Sequence, residues 1–268
     1  MKLISLNIWG GKMFEPLIAF IREQAVDTDI FCFQEVFDTP TNEIVSHDTR
    51  INVFRELTLA LPDFTAYFAP VLDGFDLAGP SDIPVSCGNA VFLRRRFLIT
   101  TTSSIFVHKT GGIIPRTIRD EPRAIQNVRL LVNGAPLSIY NFHGLVPEKP
   151  IISDDQNGRD PKIDTAERIE QARRIRAILD SDPNPKILSG DFNLRPDTES
   201  MNITKGTDLE NLIETFGITD TRGPFDPRPV RFADHTLVSK EIRVNDFRVP
   251  VVSISDHLPL ILTFETTK

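Results

Sequence analysis

The sequence predicts an α/β fold in which two packed sheets are covered by helices, as a single domain over residues 1–268. Three observations lead to this prediction. The length of 268 residues fits one large domain. Strand-like and helix-like patterns alternate from end to end, and no repeat, low-complexity segment or linker interrupts them. Strand-like runs outnumber helical ones, which favours sheets as the inner layers and helices as their cover.

The N-terminal part of the chain reads as strand, helix, strand, helix. Pro16 suits the first turn of a helix, and Pro62 ends the next one. The predicted elements are a strand at 3–8, a helix at 15–24, a buried strand at 29–36 and an amphipathic helix at 48–62.

The middle of the chain consists of short β-like runs. Apolar and β-branched residues predict strands at 64–69, 89–95, 103–108, 125–132 and 136–143. Two stretches, 70–88 and 143–162, fit neither pattern, and loops of this length in a compact domain are typically functional or mobile.

The clearest helix covers 164–182. Asp164 followed by Glu167 resembles a capping box, and an apolar stripe runs along one face. A strand at 186–192, a short helix near 208–217, a strand at 235–239 and a last strand at 258–265 complete the chain.

Composition limits the classes of function. The net charge of −7 argues against a broad basic face for nucleic acid, but a phosphate-bearing substrate remains compatible because bound divalent cations supply positive charge locally. Cys32 and Cys87 have no metal-ligand spacing, so we expect a reducing, cytoplasmic setting. The sequence has no apolar run that predicts a transmembrane segment, and its first residues lack a signal-peptide pattern.

Several apolar runs end on a polar residue of catalytic type. These residues are Asn7, Glu35, His143, Asp191 with Asn193, and the pair Asp256 and His257 just before the last strand. Strand ends at one edge of a sheet converge on a common cleft, where α/β proteins tend to place ligand sites. One such residue is compatible with a plain turn, whereas five in one chain indicate a site.

The residue types restrict the chemistry of this site. Carboxylate and amide oxygens suit Mg²⁺ or Mn²⁺ and not zinc, and two histidines without cysteine partners suit acid–base or phosphate-contacting work. In "SGDFN", Asp191 and Asn193 are two apart and are expected to share one face of a strand, with Gly190 allowing close backbone packing behind them. The set indicates a phosphoester-hydrolysing site.

The motifs "SLNIWGG", "FCFQEV", "IYNFHGL", "LSGDFNLRPDT" and "FADHTLVS…SISDHLPL" resemble the endonuclease/exonuclease/phosphatase superfamily. This group includes deoxyribonuclease I, exonuclease III-type repair nucleases, neutral sphingomyelinases and inositol polyphosphate 5-phosphatases. The resemblance spans residues 4 to 264 in the order of the family's motifs. It implies a four-layer α/β/β/α sandwich of two mixed sheets, with the site at one edge of both.

The resemblance also implies roles for single residues. Glu35 is the expected principal Mg²⁺ ligand, with Mn²⁺ as a substitute, and Asn7 and Asp256 lie nearby. The expected catalytic residues are Asp191, which orients or deprotonates the attacking water, Asn193, which fixes the phosphate, His257, which contacts the phosphate, Asp234, which hydrogen-bonds His257, and His143, a second phosphate-binding or general-acid residue.

The substrate is open at this stage. The commonest activity of the family favours a nuclease-like phosphodiesterase that acts by in-line attack of an activated water, in a monomeric protein. Trp9 stands where repair nucleases carry Asp or Asn, which is closer to sphingomyelinase-like members, and we expect it to pack or line the cleft. The alternative is a lipid or small-molecule phosphoesterase. Exposed apolar residues in the loops 70–88 and 143–162 would favour it, and the candidates for such residues are Phe75, Leu77, Ile151 and Ile152.

Two further hypotheses concern binding. A non-catalytic module on the same fold predicts the loss of at least one core residue, and none is missing. The segment 108–123 carries basic residues around glycines, so it can contact phosphates; they are Lys109, Arg116, Arg119 and Arg123.

Overall fold

The computed structural model describes residues 1–111, 121–146 and 164–266. Its strands are β1 (Lys2–Asn7), β2 (Ile30–Asp38), β3 (Val45–Ser46), β4 (Thr49–Arg50), β5 (Phe64–Asp73), β6 (Phe75–Asp76), β7 (Gly79–Pro80), β8 (Ser86–Arg94), β9 (Leu98–His108), β10 (Arg123–Val132), β11 (Ala135–His143), β12 (Lys186–Asp191), β13 (Leu209–Asn211), β14 (Asp234–Ser239), β15 (Ile242–Arg248) and β16 (Leu260–Thr266). Its α-helices are α1 (Phe14–Gln24), α2 (Val53–Ala60), α3 (Ala166–Asp180), α4 (Glu199–Lys205) and α5 (Leu212–Thr215).

Two six-stranded mixed sheets form the centre of the molecule. The first has the strand order β15-β16-β1-β2-β8-β5, and the second has the order β13-β14-β12-β11-β10-β9. In each sheet one central pair is parallel, β1 with β2 and β11 with β12, while the other neighbours are antiparallel. The two parallel pairs therefore bring four strand ends to one edge of the sandwich.

Three apolar clusters hold the layers together. One lies between the sheets and contains Leu3 and Ile30 of the first sheet with Ile139 of the second. The next residues along the chain point outward, so Ile4 and Phe31 pack under α1 and α2, as the two-residue period of a strand requires. The third cluster lies between the second sheet and α3. The four-layer α/β/β/α arrangement expected from the sequence is thereby confirmed.

The predicted helix at 48–62 is wrong in its first part. Thr49 and Arg50 form β4, which pairs with β3 in a small hairpin, and α2 begins only at Val53. The hairpin turns at His47 and Asp48, both with positive φ, and this turn interrupts the helical periodicity. The predicted helix near 208–217 is likewise split into strand β13 and helix α5. Helix α4 and strand β15 were not predicted from the sequence.

The start of α3 also differs from the prediction. Thr165 caps this helix, because its hydroxyl accepts from the Arg168 N–H. Asp164 instead accepts from the backbone N–H groups of Glu199 and Ser200, at 2.7 and 2.8 Å. Its carboxylate thus satisfies unpaired N–H groups at the start of α4, and it joins two helices rather than beginning one.

A cluster of buried amides crosses the space between the two sheets. Gln34 of the first sheet donates to the side-chain oxygen of Asn141 in the second, at 2.6 Å. The Asn141 amide nitrogen donates in turn to the carbonyls of Phe33 and Ala90, at 3.0 and 3.1 Å, and to the side chain of Gln126 at 3.2 Å. Buried amides need partners in fixed directions, so this cluster sets how the sheets face each other.

Some sequence predictions fall outside the described residues, namely those for Arg116, Arg119, Ile151 and Ile152. The single domain over 1–268 stays a prediction. Among the described helices, none combines the length and apolarity needed to cross a membrane.

Gly190 offers a test of the close packing between β11 and β12. A Cβ added there would stand 2.0 Å from the Phe142 carbonyl oxygen, and φ is +150°. This bears out the prediction of close backbone packing behind the site. We expect Gly190→Ala to lower the free energy of unfolding by about 2–4 kcal/mol, measured by urea denaturation. The control is Gly217→Ala, where φ is +61° and no atom lies within 4 Å; it should lose only about 1 kcal/mol. Equal losses would contradict the steric argument.

Candidate active site

The parallel strand pairs bring polar side chains from both sheets to one edge. Asn7 ends β1, His143 ends β11 and Asp191 ends β12. His143 lies opposite Asp191 in the ladder, and Asp191 lies opposite Asp234 on the other side. The edge therefore gathers its groups by strand register, from residues distant in sequence.

Glu35 reaches the cleft through an irregularity in β2. The register of β2 against β8 shifts between Phe33 and Val36, and Glu35 has a φ of +53°. Asn7 donates to its carboxylate at 3.0 Å. Burial and, next, the charge of Asp256 raise the pKa of Glu35, the Asn7 hydrogen bond acts against both, and the net result is a pKa of about 7.

Asp191 is fixed between neutral donors and two histidines. Its Oδ1 accepts from the Asn193 N–H at 2.9 Å, and its Oδ2 accepts from the Asn7 amide at 3.1 Å. The same Oδ2 lies 3.5 Å from His257 Nε2 and 3.7 Å from His143 Nε2. A carboxylate held in this way can accept a proton without reorienting.

Asn193 reaches the site by a different route from the predicted one. Strand β12 ends at Asp191, so Asn193 is not its strand neighbour on the same face. Instead Asn193 has a φ of +54°, and its N–H bonds to the Asp191 side chain, which makes a tight turn. This turn, and not the alternation of side chains along a strand, places the side chains of Asp191 and Asn193 in the cleft.

His257 and Asp234 form a buried pair. Nδ1 of His257 lies 2.9 Å from both carboxylate oxygens of Asp234. Burial and Arg222 lower the pKa of His257, but the surrounding carboxylates outweigh them and raise it above its ordinary value. Burial raises the pKa of Asp234. Asp234 fixes the imidazole so that Nε2 faces Asp191.

Arg222 is a site residue that the sequence reasoning missed. Its side chain is buried; Nη1 contacts His257 Nε2, and Nη2 donates to the Asn193 side-chain oxygen at 3.2 Å. A guanidinium only donates, so in this contact Nε2 accepts when His257 is neutral, and the ring then carries its proton on Nδ1 toward Asp234. Arg222 therefore touches two of the residues that the resemblance assigns to the phosphate, His257 and Asn193.

Backbone pairing delivers Arg222 to this place. It forms an isolated antiparallel bridge with His257, and Leu258 N–H bonds to the Thr221 carbonyl at 2.9 Å. Gly223 permits the approach, since an added Cβ would stand 2.4 Å from the Ser255 carbonyl oxygen. Asp226 lies 3.2 Å from Arg222 Nε and balances its charge. The glycine after Arg222 is the only local signal of this approach in the sequence.

His143 faces Asp191 and Glu35 in an uncharged form. Burial, and next the charge of Arg123, lower its pKa to about 3. Its Nε2 is buried without a hydrogen-bond partner in the described part of the chain, 3.9 Å from a Glu35 oxygen. At neutral pH His143 can thus offer a hydrogen bond to a ligand, whereas it holds no extra proton to give as a cationic acid.

The donor set fits a hard divalent cation. Glu35 and Asp256 are oxygen donors whose mutual repulsion shows in the raised pKa of Glu35, and a cation between them would relieve it. Asp256 is held by Ser255 Oγ at 3.3 Å, with Arg228 3.8 Å away. Asn7 turns its oxygen to the Trp9 N–H at 3.0 Å, so its role as a ligand stays a prediction.

A second group of possible ligands lies close by. Asp191, Asp234 and His257 each offer an atom within 4.8 Å of the others. Asp234 and His257 already hydrogen-bond each other. Asp191 is instead linked to Glu35, because the Asn7 amide donates to both carboxylates.

Of the basic segment, the structure fixes Arg123 in contacts with the protein itself. Arg123 is buried and donates to the Gly144 and Pro122 carbonyls and to Glu121, at 2.8, 3.2 and 2.7 Å. Its nitrogens are therefore committed to the protein. The phosphate-contact hypothesis for this segment stays a prediction.

A sandwich of two mixed sheets with carboxylates and histidines at one edge defines a class of phosphoesterase fold. The model of the Endonuclease/Exonuclease/phosphatase family matches residues 4–257, and the chain belongs to this family. No curated protein sequence matches the chain.

Solved structures show the same fold at low identity. A family member from Leptotrichia buccalis is 18% identical with a TM-score of 0.70, and each chain covers 99% of the other. The mannosyl-6-phosphatase of Bacteroides thetaiotaomicron is 20% identical with a TM-score of 0.65 and 99% coverage of both chains. The human Nocturnin catalytic domain, with bound sulfate, is 17% identical with a TM-score of 0.65, covering 100% of this chain and 93% of its own.

The raised pKa of Glu35 predicts that the stability of the fold falls as the pH rises. In the folded protein Glu35 binds its proton up to about pH 7, whereas its ordinary value is 4.5. Ionisation therefore destabilises the fold as pH rises through this range, and the penalty is absent below it. We expect Glu35→Gln to raise the Tm by at least about 2 °C at pH 8 in a chelator, with little gain at pH 4.5. Exposed Glu23→Gln is the control. Equal gains at both pH values would refute the assignment.

Proposed function

We propose that this protein is a Mg²⁺-dependent phosphoester hydrolase, with Mn²⁺ as an alternative cation. The observation that carries this proposal is the convergence of Glu35, Asp191 and His257 at one sheet edge, with Asn193 and Arg222 beside them. Such a set combines a base, fixed hydrogen-bond donors and a cation-binding carboxylate within one cleft. A non-catalytic module is less well supported, because every expected site residue is present in the cleft.

The residues suggest a division of labour for in-line attack. Asp191 Oδ2, which faces both histidines and keeps a lone pair beside its bond from the Asn7 amide, would accept a proton from water. Arg222 donates a hydrogen bond to the Asn193 side-chain oxygen, so the side-chain nitrogen of Asn193 is the atom that can donate to a phosphoryl oxygen. His257, held by Asp234, and Arg222 would stabilise the negative charge that builds on the phosphoryl group.

Glu35 and Asp256 would hold the cation, with Asn7 beside them. A bound Mg²⁺ supplies positive charge to the phosphoryl oxygens and the leaving group. His143, neutral at working pH, would donate a hydrogen bond from Nε2 to the same phosphoryl group.

Two substrate classes fit this chemistry. A nuclease-like phosphodiesterase follows from the family's commonest activity, although the net charge of −7 disfavours tight binding to a duplex. A small-molecule or lipid phosphoesterase is favoured by an apolar cavity beside Glu35 and His143, which Phe75 and Leu77 line. The cytoplasmic location and the monomeric state stay predictions.

The first test is a substrate panel with Mg²⁺ or Mn²⁺. It contains single- and double-stranded DNA, RNA, sphingomyelin, inositol phosphates, bis-p-nitrophenyl phosphate and p-nitrophenyl phosphate. We expect metal-dependent turnover of at least one member, and Asp191→Asn and His257→Ala should each lower kcat by about 10²–10⁴-fold. No turnover of any member, or turnover that neither variant changes, would overturn the proposal.

Arg222 provides a second test. Lysine keeps the charge but cannot reach His257 and Asn193 with two nitrogens, so we expect Arg222→Lys to lower kcat by about 10²-fold. Arg243→Lys, at an exposed position of β15, is the control and should leave kcat unchanged. Thermal unfolding of both variants separates a folding defect from loss of charge stabilisation. A fully folded Arg222→Lys protein with normal kcat would contradict the role of Arg222.

A further inference from the structure

A cavity of about 370 Å³ adjoins the candidate active site. Glu35 and His143 form the wall where it meets the carboxylate cluster, and residues of the β6–β7 hairpin also line it. A phosphorus atom held at the cluster can therefore direct its organic substituent into this cavity. A volume of this size accommodates one compact group and excludes a stretch of polymer.

The walls of the cavity are mostly apolar. Phe37, Val71, Leu72, Phe75 and Leu77 contribute to them. Phe75 is half-buried and belongs to none of the three apolar clusters of the described residues, so core packing does not account for its position. Leu77, by contrast, packs on the cluster beneath α1 and α2. An aromatic side chain that faces a cavity without serving the core is typical of a ligand contact.

Of the polar side chains of the cavity, Asp76 and Arg123 are already bonded to the protein, and the unpartnered Nε2 of His143 lies at the wall shared with the carboxylate cluster. Asp76 accepts from Ser46 Oγ at 2.7 Å, from the Ala78 N–H at 2.8 Å and from His47 at 2.9 Å. All three side-chain nitrogens of Arg123 are likewise bonded. A substituent with many hydroxyl groups would lose its water without gaining equivalent partners, and this cost disfavours it.

The charge around the cavity disfavours an anionic substituent. The carboxylates of Asp76 and Glu121 line it, and the nearby Arg123 is paired with Glu121. A second phosphate on the substrate would meet this negative charge in a partly buried space. The cavity thus suits an uncharged, apolar group.

The wall is rigid before any ligand arrives. Gly74 N–H bonds to the Val85 carbonyl at 2.8 Å, and Leu77 N–H bonds to Thr49 Oγ1 at 3.2 Å. With the Asp76 bonds, these contacts tie the β6–β7 hairpin to the β3–β4 hairpin. A preformed cavity lowers the entropy cost of binding.

We infer that this cavity is the specificity pocket for a small phosphoester whose organic group is uncharged and apolar, of aryl or branched-alkyl type. The inference rests on the proposed function, because the phosphoryl group must lie at the Glu35 and Asp191 cluster for the substituent to enter the cavity. It places the substrate among small molecules rather than nucleic acids.

Binding of two unreactive phosphonates tests the pocket without catalysis. Methylphosphonate and 1-naphthylmethylphosphonate are titrated by calorimetry into the whole protein with Mg²⁺. We expect the naphthyl compound to bind about 100-fold tighter, from burial of its rings. Phe75→Ser should reduce this preference by about tenfold, and Ala78→Trp, which fills the cavity from the exposed hairpin tip, should reduce it further. Phe216→Ser, a partly exposed aromatic outside the cavity, should keep it.

Parallel hydrolysis assays separate the inference from the proposed function. The substrates are 1-naphthyl phosphate, bis-p-nitrophenyl phosphate and single-stranded DNA. An intact naphthyl preference without turnover of any of these esters or of any member of the substrate panel would overturn the hydrolase proposal and leave the pocket standing as a ligand site. Equal affinity of the two phosphonates, no binding of either, or a preference that neither pocket variant changes would overturn the inference, whatever the turnover.

Discussion

The repulsion among closely spaced, largely buried carboxylates at one sheet edge is the constraint on which this structure depends. Glu35, Asp191, Asp234 and Asp256 lie close enough to influence one another, and each would be unfavourable there alone. Asn7 donates to two of them, and His257 pairs with a third. Positive charge comes from the guanidinium of Arg222. It enters the cleft because residues 221–223 pair with residues 255–258.

Much of the fold could be read from the sequence because buried strands leave a two-residue period and long helices an apolar stripe. The site residues at strand ends were visible for the same reason, since each interrupts an apolar run. Arg222 was not, because it lies in "DTRGPFDPRPVR", where Arg228 and Arg231 are equally basic and no periodic element distinguishes them. Its position follows from pairing with a segment 35 residues away, which local patterns do not encode.

Three residues at the site adopt backbone conformations that are unfavourable for them, and sequence patterns do not reveal this. Glu35, Asn193 and Trp9 all have positive φ without being glycine. Each such residue is disfavoured in isolation, and the surrounding hydrogen bonds must outweigh it. In two cases these bonds are local: the Asp191 side chain holds the Asn193 N–H, and the Asn7 side chain holds the Trp9 N–H. The polar groups that face a substrate thus also enforce the backbone that presents them.

The amide cluster between the sheets has a consequence for the geometry of the site. Gln34 is the neighbour of Glu35, and Asn141 lies two residues before His143, so the cluster stands directly behind the cleft. The two halves of the site come from different sheets, and sliding of one layer over the other would separate them. Directional amide bonds resist such shear where apolar contacts alone would permit it. The two halves of the site, although they come from different sheets, should therefore keep their relative positions.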